Sequence, residues 1–157
     1  MNKENKQVMI HFERGGSFKA ALNVQAAPDL CRSVWDVLPI ESVATHSRWS
    51  GREVNFQFQS RSLPKDENQT IYTSIGELVY WRGCYKVSDD QPAEVLAIYY
   101  GPEESRSFRG PEKVSVIGQI DYGQLKELAA VGERIWLHGT EKIRVEKREE
   151  QNRQMDA

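Results

Sequence analysis

The sequence predicts one mainly β domain, a closed or nearly closed barrel of about eight short strands plugged by two short helices. Three observations lead there. Apolar and polar residues alternate at period two in a series of short segments, the mark of strands with one buried face. Apolar residues recur at helical spacing in only two places, each bounded by a start and a stop residue. Finally, 157 residues with 39% hydrophobic content can fill one core but not two ordinary ones.

Val8, Ile10 and Phe12 alternate with Met9, His11 and Glu13, and Arg14-Gly15-Gly16-Ser17 supplies a hairpin turn. Phe18, Ala20, Leu22 and Val24 form the apolar face of the return strand. Pro28 suits the first turn of a helix over 28–38, with Leu30, Cys31, Val34, Trp35 and Leu38 along one stripe and Pro39 ending it. Cys31 lies in that stripe and reads as a buried thiol. Val54, Phe56 and Phe58 alternate with Asn55, Gln57 and Gln59 in the next strand. Leu78-Val79-Tyr80-Trp81 follows as another strand, running into a turn around Gly83 and Cys84. Residues 95–100 are apolar on both faces and predict a central strand. Residues 114–120 form a further strand, with Gly118 marking a bend or a close approach of backbones.

Asp121 reads as an N-cap with Gln124 three residues on, opening a helix near 122–131 whose apolar face is Leu125, Leu128 and Ala129. Gly132 is its expected stop. Residues 135–138 are expected to be a strand, extended or paired by Ile143 and Val145. The barrel domain is therefore drawn over 1–146, with a charged tail over 147–157. The connections 60–69 and 101–110 are too polar to pack and are expected on the surface; the second carries Phe108 between Arg106 and Arg109, as a lip able to close over a site.

A net charge of −2 gives no global field toward nucleic acid or an anionic membrane. The polar N-terminus and the absence of a long apolar run give no export or membrane signal, and the two cysteines form no CxxC pair. A cytoplasmic protein with reduced thiols is the expectation. No P-loop, GxSxG elbow or HExxH run is present. His11, His46 and His138 sit on separate segments without metal-ligand spacing, so neither a metal nor a cofactor is expected.

The densest chemistry lies in Thr45-His46-Ser47-Arg48-Trp49-Ser50-Gly51-Arg52-Glu53, between two strand-like segments. A histidine, two arginines and a tryptophan around a glycine turn point to a polar constellation at the edge of an apolar groove. Arg48 offers a planar fork of donors for a carboxylate or carbonyl oxygen. The structural alternative is that Arg48 pairs with Glu53 at the barrel rim.

The order of parts resembles the small bacterial cyclophilin-like proteins, and in particular a family of unknown function. The resemblance spans roughly residues 7–140 and rests on residues 8–12, 28–38, the His46-Ser47-Arg48-Trp49-Ser50-Gly51 run, Gly76-Glu77-Leu78-Val79-Tyr80 and Ile98-Tyr99-Tyr100-Gly101. It implies a cyclophilin-type barrel. True cyclophilins carry an arginine in a Phe-His-Arg run and a Gln-Gly-Gly-Asp run. Here Arg48 stands two residues after His46, and Ser50-Gly51-Arg52-Glu53 stands where the second run would be, which argues against efficient prolyl isomerisation.

Three functional classes follow: a domain binding a small anionic or amide-bearing ligand in a groove near Arg48, a weak prolyl isomerase, and a small hydrolase or isomerase using His46 and Arg48. The first is favoured, with His46, Arg48, Trp49, Tyr100 and Phe108 as ligand-binding residues and His46 and Arg48 as the catalytic candidates. Of the adjacent tyrosines, only one can face the groove from a regular strand, and Tyr100, beside Gly101, is expected to be that one. The expected partner is a small molecule or peptide, not nucleic acid or membrane, and a homo-oligomer is left open.

Overall fold

The computed structural model describes residues 5–88 and 91–148, with 84–88 described by their backbone alone. Eight strands build the barrel: β1 Gln7–Phe12, β2 Ser17–Leu22, β3 Ile40–His46, β4 Glu53–Phe58, β5 Glu77–Ser88, β6 Gln91–Tyr99, β7 Val114–Ile120 and β8 Glu141–Lys147. Their hydrogen-bonded order is β2-β1-β8-β3-β4-β6-β5-β7, and β7 returns to β2 through Gly118↔Leu22 and Ile120↔Ala20. Every barrel pairing is antiparallel, so closure removes the open edges that a sheet would expose.

Alternation decides what goes inside. Val8, Ile10, Phe12, Phe18, Ala20, Val54, Phe56, Leu96 and Ile98 face one core, into which helix α1 (Pro28–Trp35) sets Leu30 and Val34. Helix α2 (Leu125–His138) adds Leu128, Val131 and Ile135. Cys31 is fully buried, and burial first, with the Glu67 charge second, pushes its thiol up to about 12, consistent with an inert core residue. Among the described residues no helix is long and apolar enough to cross a membrane.

Several sequence expectations are corrected. Residues 135–138 are not a strand: α2 runs through Gly132 to His138 and stops at Gly139, whose φ is +88°. Leu128, Val131, Gly132 and Ile135 follow one helical face at i, i+3, i+4 and i+7, a pattern that outweighs the glycine. The strand closing the barrel is Glu141–Lys147 instead, paired to both β1 and β3, so Lys147 belongs to the barrel. The remainder of the expected tail, from 149, lies outside the described residues. Helix α1 ends at Trp35 rather than 38, ahead of a cis Leu38-Pro39 peptide. Cys84 lies within β5, not in a turn.

The 60–69 connection is also not a loose surface excursion. Glu67 accepts the Asp29 and Leu30 backbone N–H groups at 2.9 Å each, satisfying open donors at the start of α1. Ser60 is buried and donates through its backbone N–H and hydroxyl to Glu94. The segment is polar because it satisfies backbone and side-chain polar groups at the end of the barrel.

Candidate functional site

The outer face of the barrel carries a second apolar surface. Because Val54 and Phe56 point inward, Glu53, Asn55 and Gln57 point outward, and their cross-strand partners on β6 are Tyr99, Ala97 and Val95. On β5, Val79 and Trp81 stand opposite Ala97 and Val95. Val79, Ala97, Tyr99 and Val114 form a small buried cluster of their own, against which Trp81 packs. This explains why β6 is apolar on both faces: Leu96 and Ile98 fill the barrel, and its other face floors a cavity of ≈ 440 Å³.

Two walls rise from that floor. One is the turn after β3, where the Ser47 hydroxyl oxygen accepts the N–H groups of Trp49 (3.1 Å) and Ser50 (2.8 Å). Gly51 completes the turn at φ +78°, a conformation strained for other residues, and a Cβ there would also lie 2.2 Å from the Glu103 carboxylate. The other wall is the 105–112 segment, a tight hairpin pairing Arg106↔Pro111 and Ser107↔Gly110. Ser50 joins the two: its hydroxyl donates to the Arg106 carbonyl (2.9 Å) and accepts the Arg106 N–H (2.8 Å). Arg52 adds a bond to Glu103 at 3.1 Å. The 101–110 connection, expected from the sequence as a lip, is here tied to the turn after β3 through Ser50 and Arg52. Trp49 and Phe108 stand on opposite lips, 55% and 57% exposed.

At the base sits Glu53, a residue the sequence reading did not single out as a site residue. It is buried in the cavity wall and accepts the Asn55 side-chain N–H at 3.3 Å. Burial raises its carboxyl above the usual range, and the neighbouring polar groups of Ser47, Asn55, Ser50 and Tyr99 only partly offset this. Burial and then the Glu53 charge push the Tyr99 phenol up as well. The only sequence signal for Glu53 was its outward register ahead of Asn55 and Gln57.

His46, Arg48 and Tyr100 meet in an adjoining recess of ≈ 420 Å³, with Arg52, Glu133 and Trp136. The Ser47 carbonyl can only accept, so His46 Nδ1 donates to it at 2.9 Å, while Nε2 lies 2.6 Å from the Tyr100 hydroxyl. The imidazole also leans against Trp136, ring centroids 4.8 Å apart. Burial, then the Glu133 charge, raises the Tyr100 phenol to about 12. The single groove foreseen from the sequence is therefore divided. His46 and Arg48 border both hollows, Trp49 and Phe108 border the larger, and Tyr100 borders only the smaller. Tyr99, not Tyr100, reaches the larger cavity.

Residues 10–147 match the family described as protein of unknown function DUF3830. The chain belongs to the DUF3830 family. No curated protein matches this DUF3830 chain. Among solved structures it is similar to McbB, determined in complex with tryptophan, with a TM-score of 0.67 and 19% identity over 92% of this chain and 45% of McbB, so it spans less than half of that protein. A hypothetical protein of Archaeoglobus fulgidus, AF2241, gives a TM-score of 0.59 at 22% identity, covering 94% of this chain and 100% of the other. The Mimivirus cyclophilin gives 0.52 at 15% identity, covering 94% and 90%. The DUF3830 fold of this chain is cyclophilin-like.

Chemically, the larger cavity combines an apolar floor, aromatic lips, a carboxyl at its base and a guanidinium at its mouth. Among the described residues no group of three or more histidine, cysteine, aspartate or glutamate side chains converges as metal ligands would. His11 bonds to Ser17 and Glu146, and His46 to Ser47 and Tyr100.

Proposed function

We propose that this DUF3830 domain binds a small anionic or amide-bearing ligand in the outer-face cavity, with Arg48 taking a carboxylate or carbonyl oxygen. One observation carries the reading. Arg52, Arg106 and Arg109 of the same walls are paired with Glu103, Glu104 and Glu112. Arg48, exposed at the mouth of the cavity, has no hydrogen bond or ion pair among the described residues. A guanidinium left open beside an apolar floor suits a ligand with an oxyanion or carbonyl on an apolar body. The tryptophan bound in the McbB structure makes indole compounds reasonable first probes.

The test is calorimetric titration and thermal shift with indole-3-propionate and N-acetyltryptophanamide, on the parent, Arg48→Ala and Trp49→Ala proteins. Binding stabilises the folded state by mass action, and loss of a charged hydrogen-bond partner weakens it by about tenfold or more. Equal binding by both variants would place the ligand elsewhere. The weaker readings have their own checks. Turnover of a proline-containing peptide that is abolished in Arg48→Ala would make catalysis the function. His46 gives little support to general-base chemistry, because both ring nitrogens are already engaged.

A further inference from the structure

We infer that Glu53 is the second polar anchor of this cavity and that it takes a nitrogen, so that the ligand class is a small aromatic amino acid or amine-bearing analogue, held by Arg48 at its oxyanion and by Glu53 at its amine. This rests on the ligand-binding reading above.

The argument begins with what Glu53 lacks. Glu112, which also lines the cavity, has Arg109, and Glu103 behind the Gly51 turn has Arg52. Buried Glu94, which does not line the cavity, is satisfied by the Ser60 N–H, the Ser60 hydroxyl and the Tyr80 hydroxyl, the last at 2.6 Å. Glu53 has no cation beside it among the described residues, and its surroundings are neutral donors.

Those donors are themselves held in place. The Thr45 hydroxyl donates to the Asn55 side-chain oxygen at 2.9 Å, which turns the Asn55 amide N–H toward Glu53. The Ser47 oxygen already accepts two backbone N–H groups, leaving its proton to give. Tyr99 gives its one hydroxyl proton to Ser105 at 3.0 Å, so it offers Glu53 none. A carboxyl set among oriented neutral donors, inside a cavity and short of a positive partner, is completed by an ammonium or amine N–H. Trp49, Phe108 and Trp81 supply the apolar walls for an aromatic body.

The experiment compares tryptophan with indole-3-propionate, the same skeleton without its amine, by calorimetry near neutral pH on the parent and Glu53→Gln proteins. The parent should bind tryptophan at least about tenfold more tightly than indole-3-propionate. Glu53→Gln should erase that preference while holding indole-3-propionate within about twofold of the parent. Should Glu53→Gln fail to fold, the parent alone decides: N-acetyltryptophan, whose amine is blocked, should lose the advantage that tryptophan holds over indole-3-propionate, and an advantage kept without a free amine would overturn the inference. If indole-3-propionate binds in an Arg48-dependent way and the amine adds nothing, or its benefit survives in Glu53→Gln, this inference is wrong while the ligand-binding reading stands. Absence of binding by both compounds overturns both.

Discussion

Glu53 has a consequence for stability that needs no ligand. Its folded-state pKa lies above that of a free glutamate, about 4.3, because burial disfavours the anion. A raised carboxyl contributes stability that is complete below the unfolded value and is lost as the pH climbs through the folded one. Relative to Glu53→Gln, the parent should therefore lose stability as the pH rises above the unfolded value of about 4.3, a trend the variant lacks. Urea unfolding of both proteins across that range checks it, and a constant difference would contradict the assignment. At this scale the sequence was partly readable. The run from 45 to 53 drew attention because of His46, Arg48 and Trp49, and all three do border cavities. Glu53 was considered only as an ion-pair partner for Arg48, since its burial comes from walls contributed by residues some 50 positions away in the chain, such as Ser105. Tyr99 and Tyr100 could be recognised as facing opposite ways, but which one met the larger cavity depends on register with β4, where Glu53 pairs with Tyr99.

Helix α2 shows how a local signal yields to tertiary packing. Gly132 looked like a helix stop, yet it lies mid-helix because a Cβ there would come within 2.3 Å of the Tyr100 ring. Gly132→Ala should accordingly destabilise the protein by about 1–3 kcal/mol through overpacking, against a helix-propensity gain of only about 1 kcal/mol. Denaturant unfolding measures this, and the penalty should shrink in a Tyr100→Ala background if the ring is its source. The wall elements make a separate prediction. Ser50→Ala removes both hydrogen bonds to Arg106, each worth about 0.5–1.5 kcal/mol, and should lower amide-exchange protection in residues 47–52 and 105–107 without moving protection in β1 and β2. Strands such as β1, β2 and β4 were legible because alternation over a closed barrel is a local rule. Strand β3 was not singled out, since Glu41, Ser42, Val43 and Thr45 leave only Ile40 and Ala44 buried along it.

For the whole molecule, the point least visible in the sequence is the tie that joins three elements where the barrel meets α2. Glu141 opens β8 with a fully buried side chain, and it accepts from Arg14 Nε at 2.5 Å in the β1–β2 turn and from Arg134 Nη2 at 2.6 Å on α2. Arg14 also donates to the Gly139 carbonyl at 2.6 Å, at the end of α2. Residues 14 and 141 are 127 positions apart, so no local pattern links them. Burial works against charge on Glu141, but hydrogen bonds and attraction from Arg134 and Arg14 hold its carboxyl below the usual range. A depressed carboxyl contributes stability that is present above the unfolded pKa and lost as the pH falls through the folded one. Glu141→Gln should then cost about 2–4 kcal/mol at neutral pH, because two partly buried guanidiniums lose their counter-charge. The cost should fade on acidification below about pH 4, where the parent also loses the charge. Unfolding curves of parent and variant measured from neutral to strongly acidic pH should converge at the acid end. Curves that stay parallel would show that Glu141 acts through packing or neutral hydrogen bonds, and that the ion-pair tie between hairpin, helix and closing strand is not what holds this end of the barrel together.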